Sequence, residues 1–294
     1  MLITSLLLAV ALHQGADTTL AVRKGQRLEV SVYAGSITVR TWNRDAIRVQ
    51  ADTRRKDHLD INADGSTVSV ETSGKWGPAG SADVEITMPA WMAVELSGVE
   101  TDLSVEGCKC TVHAETVRGD VTVKGGEGNV SVQSVEGSVT VTDVNGRVEA
   151  QSVNESVTVE RVRGDLAVQT VNGDVSLEAI TSSSVEASTV NGDIAYDGAI
   201  QNGGRYELST HQGDIVLTMP ENANATVSVN TFNGSFESDY PVTLTGKNQR
   251  QKFSFTIGSG SGSARVDLES FGGDIRLARP GSHTIKSKGT GDSD

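Results

Sequence analysis

The sequence predicts an all-β fold: a right-handed parallel β-helix or β-roll-like solenoid with nine-residue strand-corner repeats and an irregular β N-terminal cap. Three observations carry that prediction. One nine-residue phrase is written seven times in register across residues 117–179, best as Val171-Asn172-Gly173-Asp174-Val175-Ser176-Leu177-Glu178-Ala179. A fixed short period marks a solenoid, where each repeat buries its face only against its neighbours. Apolar residues stand two and four places after each glycine slot, as at Val121 and Val123, Val139 and Val141, Val175 and Leu177. That is the period of a strand with one buried face. Finally, aromatic residues make up only 4% of the chain while glycine numbers 32, which suits a thin core of stacked valines better than a globule.

Taken in order, residues 1–16 read as a signal peptide. The apolar run over residues 3–12 is too short to span a bilayer, and small-x-small cleavage sites stand at Ala9-Val10-Ala11 and Gly15-Ala16. The competing reading of that run is a buried N-terminal strand. No later stretch is apolar for long enough to cross a membrane, so the mature chain is expected to be exported and soluble, in the periplasm or at the cell surface. Residues 17–95 form a β-rich cap region of short alternating runs, such as Leu28-Glu29-Val30-Ser31-Val32 and Val84-Glu85-Ile86, separated by turn signals. Residues 96–280 are the solenoid proper, and residues 281–294 a disordered polar tail.

Within the solenoid the repeat corners are Gly119, Gly128, Gly137, Gly146, Gly164, Gly173, Gly192, Gly213, Gly234 and Gly273; Glu155 takes one slot. Glycine there supplies a residue free to adopt positive φ at a bend. Because nine is odd, in–out alternation must be reset once per copy, so each nonamer is one side of the coil. The sequence leaves two or three sides per turn open. The later slot spacings of 19 and 21 favour two, with a bulge or looser turn over residues 181–184 absorbing the first extra residue. Residues 258–263 read as a flexible hairpin or loop between strands, and the Gly273 copy is expected to close the fold.

These pieces carry a resemblance. Gly35-Ser36-Ile37-Thr38-Val39-Arg40-Thr41-Trp42-Asn43-Arg44-Asp45, the Asn-Gly-Asp-Val phrases, Gly213-Asp214-Ile215-Val216-Leu217-Thr218-Met219-Pro220, Thr231-Phe232-Asn233-Gly234 and Ser270-Phe271-Gly272-Gly273-Asp274-Ile275 occur in that order. The chain resembles the bacterial putative-adhesin family, a β-strand-repeat domain of unknown function found in cell-envelope proteins, over residues 25–279. The resemblance implies a β-helix-like or β-roll fold and export. It transfers no catalytic residues.

Candidate chemistry is sparse. The Gly-Asp pairs invite comparison with calcium-binding β-rolls, yet the residue after the slot runs Asp120, Asn129, Ser138, Arg147, Ser156, Asp165, Asp174, and an arginine would oppose the ion. Turn chemistry accounts for Asp and Asn at a bend without metal. Arg118-Gly119-Asp120 and Arg163-Gly164-Asp165 spell a receptor-read tripeptide but arise from the repeat itself. Cys108 and Cys110 read as two small residues at a strand position. The four histidines of the expected mature chain (His58, His113, His211, His283) are scattered, carboxylates such as Glu149, Glu160 and Glu178 are spread outward, and Ser and Thr read as strand surface residues. No cofactor or metal is expected.

The formal net charge of −13 argues against nucleic acid and favours cationic partners. Trp42, Trp76 and Trp91 could stack on carbohydrate, though cap packing accounts for them as well. The expected function is a non-enzymatic adhesin or cell-envelope binding scaffold, open to oligomerisation. The alternatives are capture of cationic peptides in an envelope-stress response, and a polysaccharide-active β-helix enzyme.

Overall fold

Valine-rich alternation with almost no helical period leaves strands as the element this chain can build. The computed structural model describes residues 8–12, 16–53, 57–74, 80–242, 252–260 and 262–281. Its regular structure is all β, in chain order: β1 (Leu8–Leu12), β2 (Ala16–Ala21), β3 (Arg27–Trp42), β4 (Ala46–Thr53), β5 (Asp57–Asp64), β6 (Thr67–Gly74), β7 (Ser81–Pro89) and β8 (Ala93–Glu106). Then come β9 (Val112–Arg118), β10 (Val121–Glu127), β11 (Val130–Glu136), β12 (Val139–Asn145), β13 (Val148–Gln151), β14 (Val157–Glu160), β15 (Leu166–Gln169), β16 (Val175–Asn191) and β17 (Ile194–Gln212). The last are β18 (Ile215–Thr218), β19 (Ala225–Thr231), β20 (Phe236–Ser238), β21 (Lys252–Ile257), β22 (Ala264–Ser270) and β23 (Ile275–Ala278).

Register decides how the coil closes. Val121 lies opposite Val139, and Val139 opposite Val157, in one parallel ladder. Val130 lies opposite Val148, and Val148 opposite Leu166, in a second. Each strand therefore skips its chain neighbour and pairs with the next but one, which makes two sides per turn. A front sheet runs through β8, β10, β12, β14, β16, β17 and β18; a back sheet runs through β9, β11, β13, β15, β16 and β17. The long strands β3, β8, β16 and β17 bend round a corner and belong to both. Inward residues of the two sheets meet as stacked rows: Val121, Val123, Val139, Val141, Val157 and Val159 are at most 1% exposed. The register of β16 against β17 shifts between Ser182 and Ser184, within the span where the sequence places a bulge or looser turn, and also between Glu178 and Ile180, just before it.

Both ends are closed by an inserted coil. β3 lies between β6 and β8 at the back and between β7 and β8 at the front. β22 lies between β17 and β19, and β23 between β18 and β20. The Gly273 copy thus does not close the fold as the sequence suggested; it is threaded one coil inward, between the copies of Gly213 and Gly234. The segment between β21 and β22 is accordingly a loop passing the end of β19, not a hairpin. Antiparallel strands cover the rims: β2 on β4, β4 on β7, β1 on β5, β5 on β6 and β21 on β19. β1 belongs to the segment read as a leader. Reversed strands at a rim remove the open parallel edge on which a further coil could stack.

Candidate functional site

The two sides per turn separate the glycine slots onto opposite edges of the solenoid. Gly119, Gly137, Gly173, Gly192, Gly213, Gly273 and Gly234 stand in that order along the edge leading into the front sheet, with Glu155 between Gly137 and Gly173. Gly128, Gly146 and Gly164 stand on the other edge. On the first edge a Cβ on Gly137 would enter the carbonyl oxygen of Gly119, one on Gly192 that of Gly173, and one on Gly234 that of Gly273. Gly119 and Gly213 have φ of 134° and 153°, but Gly137, Gly173, Gly192, Gly234 and Gly273 lie outside the left-handed region. Positive φ is therefore not the shared reason for glycine. Contact between backbones of successive coils is.

The aspartates beside those glycines form a second column. The backbone N–H of Ser138 donates to Asp120 Oδ1 (2.8 Å), that of Asp193 to Asp174 (2.8 Å), that of Asp214 to Asp193 (2.8 Å), and that of Asp274 to Asp214 (2.8 Å). Ser156 serves equally, its Oγ accepting from the Asp174 N–H at 3.3 Å. Each carboxylate satisfies a corner N–H that the parallel ladder leaves over. Asn129, Arg147 and Asp165 belong to the other edge, so the arginine that argued against a calcium ladder was never in this column. Among the described residues no group of three or more His, Cys, Asp and Glu is arranged to hold a metal ion.

A third column escaped the sequence reading. Thr116, Ser134, Ser152, Thr170, Thr189, Thr210 and Ser270, each three residues before a slot on the first edge, are buried. Ser134 Oγ donates to the Gly119 carbonyl (2.9 Å), Ser152 to Gly137 (3.0 Å), Thr189 to Gly173 (3.0 Å) and Thr210 to Gly192 (3.0 Å). These hydroxyls are core fittings, which corrects their assignment to the strand surface. At the same phrase position on the other edge stand Gly125, Asp143, Arg161 and Ala179, all at positive φ (80°, 60°, 52° and 53°). The left-handed conformation costs a non-glycine residue about 1–2 kcal/mol. Ala179→Gly is therefore expected to raise the unfolding free energy by about 1 kcal/mol, measured by chemical denaturation.

The charged residues singled out in the sequence are engaged with neighbouring coils. Arg118 bridges Glu100 (2.6 Å) and Glu136 (3.0 Å), and Asp120 serves the Ser138 amide, so the first Arg-Gly-Asp is held within its own edge. Asp165 stands 3.7 Å from Arg147. Arg161 holds Asp143 (2.7 and 3.1 Å), and this hydrogen bonding lowers the Asp143 carboxyl below its usual range. The Ser235 backbone N–H and hydroxyl lower Asp274 likewise. A carboxyl lowered on folding stabilises above its unfolded pKa of about 3.9, and that stability is lost as pH falls further through the folded value. Asp274→Asn is expected to flatten the loss of melting temperature as pH falls below about 4, compared with the wild-type chain.

Cys108 and Cys110 lie in the corner between β8 and β9 rather than in a strand, and they are joined as a disulfide. His113 stands 3.8 Å from Glu115; His283 and the His58 side chain lie outside the described residues. Trp42 Nε1 donates to the Ala46 carbonyl (2.7 Å) and Trp91 Nε1 to Asp45 Oδ1 (3.1 Å), so both indoles anchor the turn before β4. Trp76 lies outside the described residues.

Three surfaces remain. On the front sheet Thr38, Ser104, Thr122, Thr140, Thr158 and Ser176 stand in register, one hydroxyl per coil. On the back sheet Glu186, Glu207, Asp267 and Glu269, with Ser188, Ser209 and one cation, Lys252, border a shallow groove of about 350 Å³. Arg205 pairs there with Glu207, and Arg265 with Asp267 at 3.1 Å. Along the first edge runs an exposed ridge of valines ending in stacked rings, His211 on Phe271 (4.7 Å) and Phe271 on Phe232 (4.8 Å).

A family model described as Toastrack DUF4097 matches residues 25–278. No curated protein matches the chain. Solved structures that are similar include a putative adhesin from Bacteroides fragilis (12% identity, 90% of this chain and 96% of that one, TM-score 0.44). A putative adhesin from Parabacteroides distasonis has 10% identity, with coverage of 90% and 96% and a TM-score of 0.42. A putative cell adhesion protein from Clostridium sporogenes has 10% identity, with coverage of 90% and 100% and a TM-score of 0.28.

Proposed function

Because the chain belongs to the Toastrack DUF4097 family, we propose that it is a non-enzymatic, exported binding scaffold of the adhesin type, working in the periplasm or at the bacterial cell surface. Each nonamer is one strand and one corner of a right-handed coil, and the coils hold the binding groups at a fixed pitch. The carrying observation is the front rank from Thr38 to Ser176: outward hydroxyls aligned from coil to coil on a flat sheet. Paired strands lie ~4.8 Å apart, so an extended partner such as an envelope carbohydrate meets a hydroxyl at each step. Outward carboxylates support a non-enzymatic role, because Glu100, Glu136, Asp143, Glu207 and Asp267 are held by arginines of the same surface.

Binding of the purified chain to intact bacterial envelopes tests this reading. A Thr122→Glu, Thr140→Glu, Thr158→Glu triple variant should lose that binding at least tenfold while keeping its circular dichroism. Unchanged binding would remove the front rank from consideration. Cell fractionation tests export: the chain should appear outside the cytoplasm, shortened at its N-terminus, and retention in the cytoplasm at full mass would oppose it.

The back groove favours a second reading, capture of cationic peptides, since Glu186 and Glu269 add to a surface whose chain carries −13 overall. Such binding should weaken steeply between 50 and 500 mM salt. Salt-independent binding, or none, would oppose it.

A further inference from the structure

Every coil places one side chain on the outermost point of the first edge, two residues before the slot. In spatial order these are Val99, Val117, Val135, Val153, Val171, Val190, His211, Phe271 and Phe232. Val117, Val171 and Val190 are 45%, 40% and 42% exposed, and Phe271 and Phe232 are 43% and 55% exposed. On the opposite edge the same phrase position holds Val144, Val162 and Ile180, which are at most 1% exposed. The apolar residue is thus needed for the core at one edge and not at the other. Val135 and Val153 are half-buried, and His211 interrupts the apolar run, but a line of exposed apolar side chains of this kind marks an interaction surface.

The half of the ridge from Val153 to Phe232 is also flanked mainly by uncharged residues, with Glu155 beside Val153 and Glu269 beside Phe271 as its nearest charges. Its neighbours on one flank are Asn154, Asn172, Asn191, Gln212, Gly272 and Asn233. On the other flank Gln151, Gln169, Ser188 and Ser209 precede Glu269. The Asn172 amide donates to Asn154 Oδ1 (3.1 Å) and the Asn191 amide to Asn172 Oδ1 (2.8 Å). A side-chain amide has two N–H donors and two acceptor lone pairs, so each keeps capacity to pair outward in both senses.

We infer that this ridge is a self-association seam, and that its occupant is a second copy of the same chain, packed ridge to ridge about a two-fold axis. Charge selects the partner. Two molecules of net charge −13 repel over most of their surfaces, and a strip flanked mainly by amides and hydroxyls is where like can meet like at least cost. Chemistry agrees, because an amide row is complementary to itself and an isologous contact needs a patch that matches its own copy. Six coils at ~4.8 Å give a strip about 24 Å long, on the order of 400 Å² per copy, below the ~800 Å² per partner of a standard stable interface. The dimer is therefore weak and concentration-dependent.

Sedimentation velocity of the full chain from 5 to 500 µM tests the seam. The wild-type sedimentation coefficient should rise toward the dimer value across that range. Val190→Asp and Phe232→Ser, both at exposed positions, should each weaken association at least tenfold, while Thr140→Asp on the front face should not. A wild-type chain that stays monomeric to 500 µM overturns the inference, as does association that survives both ridge variants. So does a monomer whose ridge variants lose only a glycan or peptide ligand.

Discussion

Gly137→Ala is expected to destabilise the solenoid by about 3 kcal/mol, far more than an alanine normally costs at a bend. Gly137 does not occupy the left-handed region, so backbone strain contributes little. The cost comes from the Gly119 carbonyl, which occupies the space a Cβ would take, with the buried Ser134 hydroxyl bonded to that same carbonyl at 2.9 Å. Relief would require two coils to separate, breaking the Gly119 N–H bond to the Glu136 carbonyl (3.1 Å) and disturbing the ladder beside it. Gly203→Ala supplies the contrast. Its φ is +72°, yet no atom lies within 4 Å of the added Cβ, so only the conformational cost of about 1 kcal/mol applies. Chemical denaturation of both variants separates the two effects. Equal losses would mean that glycine serves turn conformation alone.

Leu268→Ala should cost about 3 kcal/mol and also loosen strands on both of its sides. Leu268 is 1% exposed and belongs to β22, whose partners are β17 on one edge and β19 on the other. Large-to-small changes in a packed core cost 2–5 kcal/mol. In an ordinary solenoid, damage to the last coil of the chain would fray only that coil. Among the described strands, β19 is laddered to the remaining coils through β22, and β20 through β23. Hydrogen exchange should therefore speed up over residues 225–231 and 252–257 as well as over 264–278. Faster exchange confined to 264–278 would contradict the inserted-coil arrangement.

The valine rows were legible because burial imposes a period of two that no other requirement masks. The resemblance to the putative-adhesin family was legible for the same reason: its phrases are those that make strands and corners. The edges were not, because the sequence repeats every nine residues while the coil repeats every two copies. Read every ninth residue, the position three before the slot is a mixture: Thr116, Gly125, Ser134, Asp143, Ser152, Arg161, Thr170, Ala179. Read every second copy, it resolves into a buried hydroxyl column and a left-handed column. The position after it splits likewise, into the exposed ridge of Val117 and Val171 and the buried row of Val144 and Val162. The inserted final coil left no mark in the sequence, since the Gly273 phrase has the same composition whichever neighbour it stacks on.

The two-copy coil is the claim on which the columns, the ridge and the seam all rest, and deletion tests it most directly. Removing residues 138–155 takes out one whole turn and places Val157 where Val139 stood, with every column intact. Such a chain should melt within a few degrees of the wild type. Removing residues 147–155 takes out one side only and transfers every later corner to the opposite edge. The left-handed Arg161 would then meet the hydroxyl column at Ser134, and the melting temperature should fall by about 10 °C, equivalent to roughly 3 kcal/mol for a chain of this size. Equal tolerance of both deletions, or better tolerance of a 27-residue one, would contradict a coil of two sides.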